Sequence, residues 1–240
     1  MKFFWVGLVF CVPVMAQQSL DIRYLIRFND DFAGGRNDRL HSGLLITGEG
    51  KSSFMMVART SFNQKNESDV NLTGDTSFVV RTDQQAGVLY AWEGDLSGER
   101  YWISDSLWPM EWTIREEKKQ IGELLCQLAS CRFRGRNYEA WFAPEIPVSA
   151  GPWKMGGLPG LIVEMEDDQQ HMVVRLETIT ATDQVPLLPQ KVRYNWPAFA
   201  SRRNTFYKRL KDAARAVSTG NCISCQQESQ IDIVSWEAYD

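Results

Sequence analysis

The sequence predicts a β-rich α+β fold: a strongly curved, half-barrel-like antiparallel sheet with a C-terminal amphipathic helix packed on or beside it. Three observations predict it. Short apolar runs recur at a spacing of roughly 8–12 residues, separated by Asp, Gly or Ser, which is the cadence of antiparallel strands. The chain carries 9 Trp, and large flat rings pack well on sheet faces. Helical periodicity is convincing at one place only, after Asn195.

Bulk properties narrow the function classes. With 240 residues, 44% of them hydrophobic and 23% charged, the chain can bury a core without disulfides in its place. A net charge of −4 with no basic stripe argues against nucleic acid as a partner.

Residues 1–16 read as a secretory signal peptide. Lys2 supplies the positive end, Phe3 to Val14 is apolar apart from Gly7 and Pro13, and Val14-Met15-Ala16 offers a cleavage site before Gln17. The run is too short to span a bilayer. Leu8-Val9-Phe10-Cys11 has the outline of a lipobox, but Phe10 stands where a small residue is needed. Residues 17–240 are then expected to be one domain with no transmembrane span. It would be exported, in the periplasm, associated with the envelope or secreted. Cleavage removes Cys11 and leaves Cys126, Cys131, Cys222 and Cys225. An even count in an exported chain favours two disulfides, in any of three pairings.

Each element follows in order. Leu20, Ile22, Tyr24, Ile26 and Phe28 alternate with polar neighbours and predict a half-buried strand, broken at Asn29-Asp30-Asp31 and Gly34-Gly35. Leu44 to Thr47 and Ser53 to Val57 flank Gly48-Glu49-Gly50 as a hairpin. Gly50-Lys51-Ser52 has the end of a phosphate-loop pattern, but Leu45 stands where its first glycine belongs, so the turn reading holds. Residues 58–76 are polar and loop-like. Short strands follow at Phe78 to Arg81, Val88 to Trp92 and Arg100 to Ile103. Trp108 to Ile114 begins another, ahead of a charged interval from Arg115 to Gln120. Ile121 to Phe133 and Asn137 to Phe142 flank the turn Arg134-Gly135-Arg136. A helix over 115–129 competes, because its Glu, Lys and Leu residues are good helix formers; the strand reading is preferred. Leu161 to Met165 and Met172 to Ile179 form the last hairpin, and Pro186 and Pro189 end the sheet. Asn195-Trp196-Pro197 starts the helix, with Phe199, Phe206, Leu210, Ala213, Ala214 and Val217 near one face, and Gly220 ends it. Ile231 to Val234 could add an edge strand.

The most conspicuous stretch is 151–162. Gly151-Pro152-Trp153-Lys154-Met155-Gly156-Gly157-Leu158-Pro159-Gly160 runs directly into Leu161-Ile162-Val163. Glycine and proline fix a backbone path more readily than they do chemistry. Leu158-Pro159-Gly160 predicts a type II turn, with Pro at i+1 and Gly160 at positive φ. Leu161 then enters the core. A structural role explains every residue, and a ligand-contacting loop is the competing reading.

Other candidates are weaker. As an extended strand, Cys126 to Cys131 spans roughly 16 Å, more than the about 7 Å a disulfide bridges. Either the strand is irregular there or these cysteines pair with Cys222 and Cys225. Cys222-Ile223-Ser224-Cys225 also has redox or zinc-ligand spacing, although it follows a helix and does not open one. His41 and His171 are the only histidines and neither is near a nucleophile in sequence. Glu164, Glu166, Asp167 and Asp168 read as a solvated hairpin tip more readily than as a carboxylate site. Most Trp are expected in the core, Trp92, Trp102 and Trp141 among the strands; a solvent-facing Trp row would instead mark a binding surface.

The block from about Trp112 to Glu166 resembles the GLPGLI family of exported proteins from Bacteroidetes-type cell envelopes. The signature stands as Gly157-Leu158-Pro159-Gly160-Leu161-Ile162. Lys119-Gln120-Ile121, Cys126, Phe133-Arg134-Gly135-Arg136, Tyr138, Ala140-Trp141-Phe142, Glu145-Ile146-Pro147 and Gly151-Pro152-Trp153 fit the rest of its pattern. The resemblance implies location and architecture and supplies no catalytic residue, cofactor or metal ligand.

The expected function is therefore a non-catalytic envelope protein. It would bind an envelope or outer-membrane protein, or an apolar ligand, through the sheet concavity or the 153–162 loop. The alternative is a thiol-based metal-binding or redox protein using the four remaining cysteines, with an unrecognised hydrolase third.

Overall fold

A computed structural model describes residues 18–32, 35–59, 76–94, 99–107 and 110–218. The expected signal peptide with Cys11, most of the 58–76 loop, Trp108-Pro109, Gly220, Cys222, Cys225 and the edge strand at Ile231 to Val234 lie outside the described residues. No helix among the described residues is long and apolar enough to cross a membrane.

The chain is β-rich, with one large open antiparallel sheet and a single helix near the C-terminus among the described residues. The strands are β1 (Leu20–Phe32), β2 (Gly35–Gly48), β3 (Lys51–Ala58), β4 (Thr76–Asp83), β5 (Val88–Gly94) and β6 (Arg100–Ser106). They continue as β7 (Thr113–Ile121), β8 (Leu124–Phe133), β9 (Arg136–Ala143), β10 (Leu161–Asp167), β11 (Met172–Ala181) and β12 (Tyr194–Asn195), before helix α1 (Trp196–Ser218). The spatial order is β12-β6-β5-β4-β3-β2-β1-β11-β10-β9-β8-β7. Sequential strands are neighbours except at two places: β11 returns to pair with β1, and β12 joins β6 in the one parallel pairing.

Local chemistry explains most of this. Glu49 and Gly50 sit at φ 53 and 71, the paired positive values of a type I′ hairpin turn, so the glycine next to Lys51 serves the turn. Gly122 at φ 58 similarly closes the β7–β8 hairpin. β1 does not break at Asn29. It runs on to Phe32, because β2 supplies a partner for every residue out to Phe32↔Gly35. The charged interval 115–120 is strand too, and not helix. Thr113 to Gln120 is exposed throughout, so hydrogen bonding to β8 overrides helix propensity there. Residues 110–112 stay outside the sheet. The two-residue β12 has no periodicity to read and was not anticipated.

One face of the sheet carries the core. Ile22, Tyr24 and Ile26 of β1, Leu45 of β2 and Phe54 of β3 meet Ala140 and Phe142 of β9 and Met165 of β10. The β9–β10 linker folds over this same face and contributes Val148, Ala150, Met155 and Leu158. Val80, Ala91, Tyr101 and Ile103 extend the face across β4–β6, where Phe199 of α1 covers them. Asn195 caps the helix by accepting the Ala198 N–H at 3.1 Å. Phe199 is 1% exposed, whereas Phe206, expected on the same apolar face, is 39% exposed. Contacts also join strands distant in sheet order: Arg134 in the β8–β9 turn bonds Asp105 of β6 at 2.6 Å.

Candidate functional site

The linker 144–160 builds a plug. Its backbone is tied on several sides: Leu161 N–H donates to Ile146 O at 3.0 Å, Gly157 N–H to Ser149 O at 3.4 Å, and Ala150 bridges Gly156. Side chains finish the job. Trp112 Nε1 donates to Gly156 O at 2.8 Å, Gln84 Nε2 to Ser149 O at 2.7 Å, and the Tyr24 hydroxyl to Ile162 O at 2.8 Å.

The expected type II turn is not what places Gly160. Positive φ falls at Trp153 (57) and Gly157 (88), and Gly160 is not among the positive-φ residues. A Cβ on Gly160 would overlap the Ala143 carbonyl and lie 2.9 Å from Pro144 Cα. The residue is glycine because two backbones touch. Leu158, Leu161 and Ile162 are 1%, 0% and 0% exposed. A β-bulge between Ile162 and Glu164 inserts Val163, so three successive side chains can all be buried.

Trp153 and Lys154 face inward as well. Trp153 packs on Phe133 and Tyr138, with ring centroids 5.9 and 6.2 Å apart. Lys154 is 3% exposed, and its Nζ lies 3.7 Å from Glu93 Oε1 and 4.9 Å from the Trp196 ring. A buried ammonium needs such company. The motif residues are thus gathered in one place, most of them buried, with Gly157 and Pro159 exposed.

The open surface lies on the other face of the sheet, across β2–β6. Leu44, Ile46, Met55, Val79, Trp92 and Trp102 line a groove of about 540 Å³ there. It continues past Trp102 into a second space of about 750 Å³, walled by the segment 187–193. Strand alternation dictates which residues reach this face, since Leu45, Phe54, Val80, Ala91 and Ile103 point into the core. Trp92 and Trp102 are cross-strand partners with ring centroids 5.3 Å apart. Every Trp among the described residues is half-buried; Trp112 and Trp153 pack against the main core and Trp196 and Trp141 against the two smaller clusters, whereas Trp92 and Trp102 lie on the groove face. Arg81 stacks on Trp102 with its guanidinium carbon 4.8 Å from the ring centroid. Burial lowers the Arg81 pKa, because desolvation disfavours the charged form. Val185, Leu187 and Val192 leave 46%, 73% and 37% of their surface exposed in or beside the groove wall.

Sequence reasoning missed this groove, yet a signal was present. Val79-Val80, Ala91-Trp92 and Trp102-Ile103 put apolar residues on both strand faces, which a solvated outer face would not need.

The comparisons with known proteins fall on the plug and on the fold. A family model described as "Protein of unknown function (Porph_ging)" matches residues 133–164, from the end of β8 through the plug into β10. That family is uncharacterised and found in Bacteroidetes. Among solved structures, the chain is similar to PNGF-II in its P21 crystal form, with TM-score 0.54 and 15% identity over 78% of this chain. The chain spans 33% of the PNGF-II chain. The C2 crystal form gives TM-score 0.46 and 15% identity over 74% of this chain and 30% of that one. The likeness is one of fold. No curated protein matches the chain.

The remaining candidates are placed as follows. Cys126 and Cys131 are free thiols on β8. Their odd separation sends them to opposite faces, Cys131 into the main core and Cys126 into a smaller cluster with Ala143 and Val163, so they do not bridge each other. Burial pushes Cys126 up to about 11 and Cys131 up to about 12, so both are protonated at neutral pH and neither is a ready nucleophile or metal ligand. Asp167 is not at a solvated tip. It is 2% exposed and accepts from Arg136 Nη1 at 2.9 Å and from the Met172 N–H at 3.0 Å, with His171 Nδ1 at 3.2 Å. It ties the β10–β11 turn to β9. His41 lies against Phe28 at 5.1 Å between ring centroids, and the His171 carbonyl accepts from the neighbouring Asn29 N–H at 2.9 Å.

Proposed function

We propose that this chain is an exported, non-catalytic cell-envelope protein that holds an apolar ligand in the groove across β2–β6. The groove is the observation that carries this reading. It is within the size of small-molecule sites, lined by apolar and aromatic side chains, and bordered by further exposed apolar residues. The segment at 1–16 and the GLPGLI resemblance support export. The Arg134–Asp105 contact supports a half-barrel-like curvature, with the plug as the filling of its concave side. Binding then belongs to the opposite face, and the 153–162 loop acts as scaffold.

Titration of the mature chain with the neutral fluorophore N-phenyl-1-naphthylamine tests this. Saturable binding is expected, and the double variant Trp92→Ala, Trp102→Ala should abolish it. No saturable binding to the unaltered protein, or binding that the double variant retains in full, overturns the reading. A protein partner on this face would show as the first of those outcomes.

A further inference from the structure

The groove has a charge pattern that an apolar ligand alone does not explain. Its described lining includes Arg81, Arg100, Lys191 and Arg193 and no carboxylate, in a chain whose net charge is −4. Arg193 pairs with Glu99 at 3.3 Å, outside the lining. Arg81 differs: its Nε is buried without a hydrogen-bond acceptor, and its contact is the face of Trp102. A guanidinium stacked on a ring keeps its in-plane N–H donors for something else.

The polarity also runs one way. The β2–β3 end offers Leu44, Ile46 and Met55 with a single hydroxyl, Ser53, whereas the cations gather from Arg81 towards the 187–193 wall. A peptide laid along the apolar end would leave its backbone groups unsatisfied, because a sheet face presents side chains and not the ladder's N–H and C=O groups. An acyl chain has no such groups.

We propose that the groove takes a single-chain amphiphile ending in one carboxylate, with its hydrocarbon over Leu44, Ile46, Met55 and Trp92 and its carboxylate on the Arg81 guanidinium. Charge-assisted, forked hydrogen bonds are the strong ones, and an anion also offsets the desolvation that Arg81 bears. This rests on the groove being the binding surface, and the test separates the two ideas.

The experiment displaces N-phenyl-1-naphthylamine from the mature chain with dodecanoate and, in parallel, with methyl dodecanoate. Dodecanoate is expected to displace the probe at about a tenfold lower concentration, which is the effect of roughly one charged hydrogen bond. Arg81→Gln should erase that preference while the probe still binds. Equal displacement by acid and ester overturns the carboxylate assignment and leaves the apolar groove standing. A preference that survives in folded Arg81→Gln overturns the role of Arg81. Absence of probe binding overturns both ideas. The acid–ester comparison uses the unaltered protein, so a variant that fails to fold does not remove the test.

Discussion

The same face of one sheet is built in two ways. Across β7–β11 it carries charges of both signs, several of them paired. Lys119 meets Glu164 at 2.7 Å and lies over Trp141, Arg115 meets Glu139 at 3.8 Å, and Arg59 reaches Glu177 at 2.7 Å. Across β2–β6 the face is apolar and cationic, and Arg81 makes no ion pair with a described residue. The first half meets several of its charges within itself. The second half exposes ring faces and a guanidinium that a ligand would complete. The conspicuous motif sits with the charge-paired strands, and the groove lies in the half without motifs.

That contrast can be broken at its strongest point first. Gly160→Ala sets a Cβ into the Ala143–Pro144 backbone. We expect a loss of about 3 kcal/mol or failure to fold, read from the urea midpoint. Leu158→Ala empties the plug's most buried leucine and should also cost about 3 kcal/mol. Tyr24→Phe removes the donor to Ile162 O and should cost about 1.5 kcal/mol. In the groove, Trp92→Ala should cost only about 1 kcal/mol, the scale of one cross-strand pair, yet lower probe affinity more than any plug variant that still folds. If plug variants abolish binding while groove variants spare it, the division of labour is reversed.

The smallest effect at neutral pH concerns the thiols. Burial raises Cys131 from 9.0 to about 12, so the folded state favours the neutral thiol. Its contribution to stability is complete below pH 9 and is lost as pH rises through about 12. Native protein should resist a thiol-directed disulfide reagent at pH 8 at both Cys126 and Cys131, and both should react once urea unfolds the chain. Rapid labelling of either in the native state would contradict their burial.

Most of the strands were legible because alternation is local. Ile22, Tyr24 and Ile26 declare a buried face, and Glu49-Gly50 declares its turn, from neighbouring residues alone. Gly160 was legible as a glycine that matters but not for its reason. A positive φ is a property of one residue, whereas overlap with Ala143 depends on where another strand passes. Two Trp residues depart from the expected core placement for a related cause. Trp92 and Trp102 sit in unmistakable strands, but which face of β4–β6 is covered is decided by α1, whose Phe199 lies more than ninety residues after Trp102. Asp167 likewise reads as a turn residue until Arg136, from a different hairpin, reaches it.

The edge strand β7 has a consequence for how the molecule behaves among copies of itself. It pairs with β8 alone, so its outer row of amide and carbonyl groups could template another chain. Arg115-Glu116-Glu117-Lys118-Lys119 puts charge on both sides of that row, and the register slips between Ile114 and Lys118. A second sheet laid against it would have to bury these charged side chains against a broken ladder. The open end of the sheet is thereby guarded against fibril-like growth, and five charged residues that look wasteful in a strand become its solubility device.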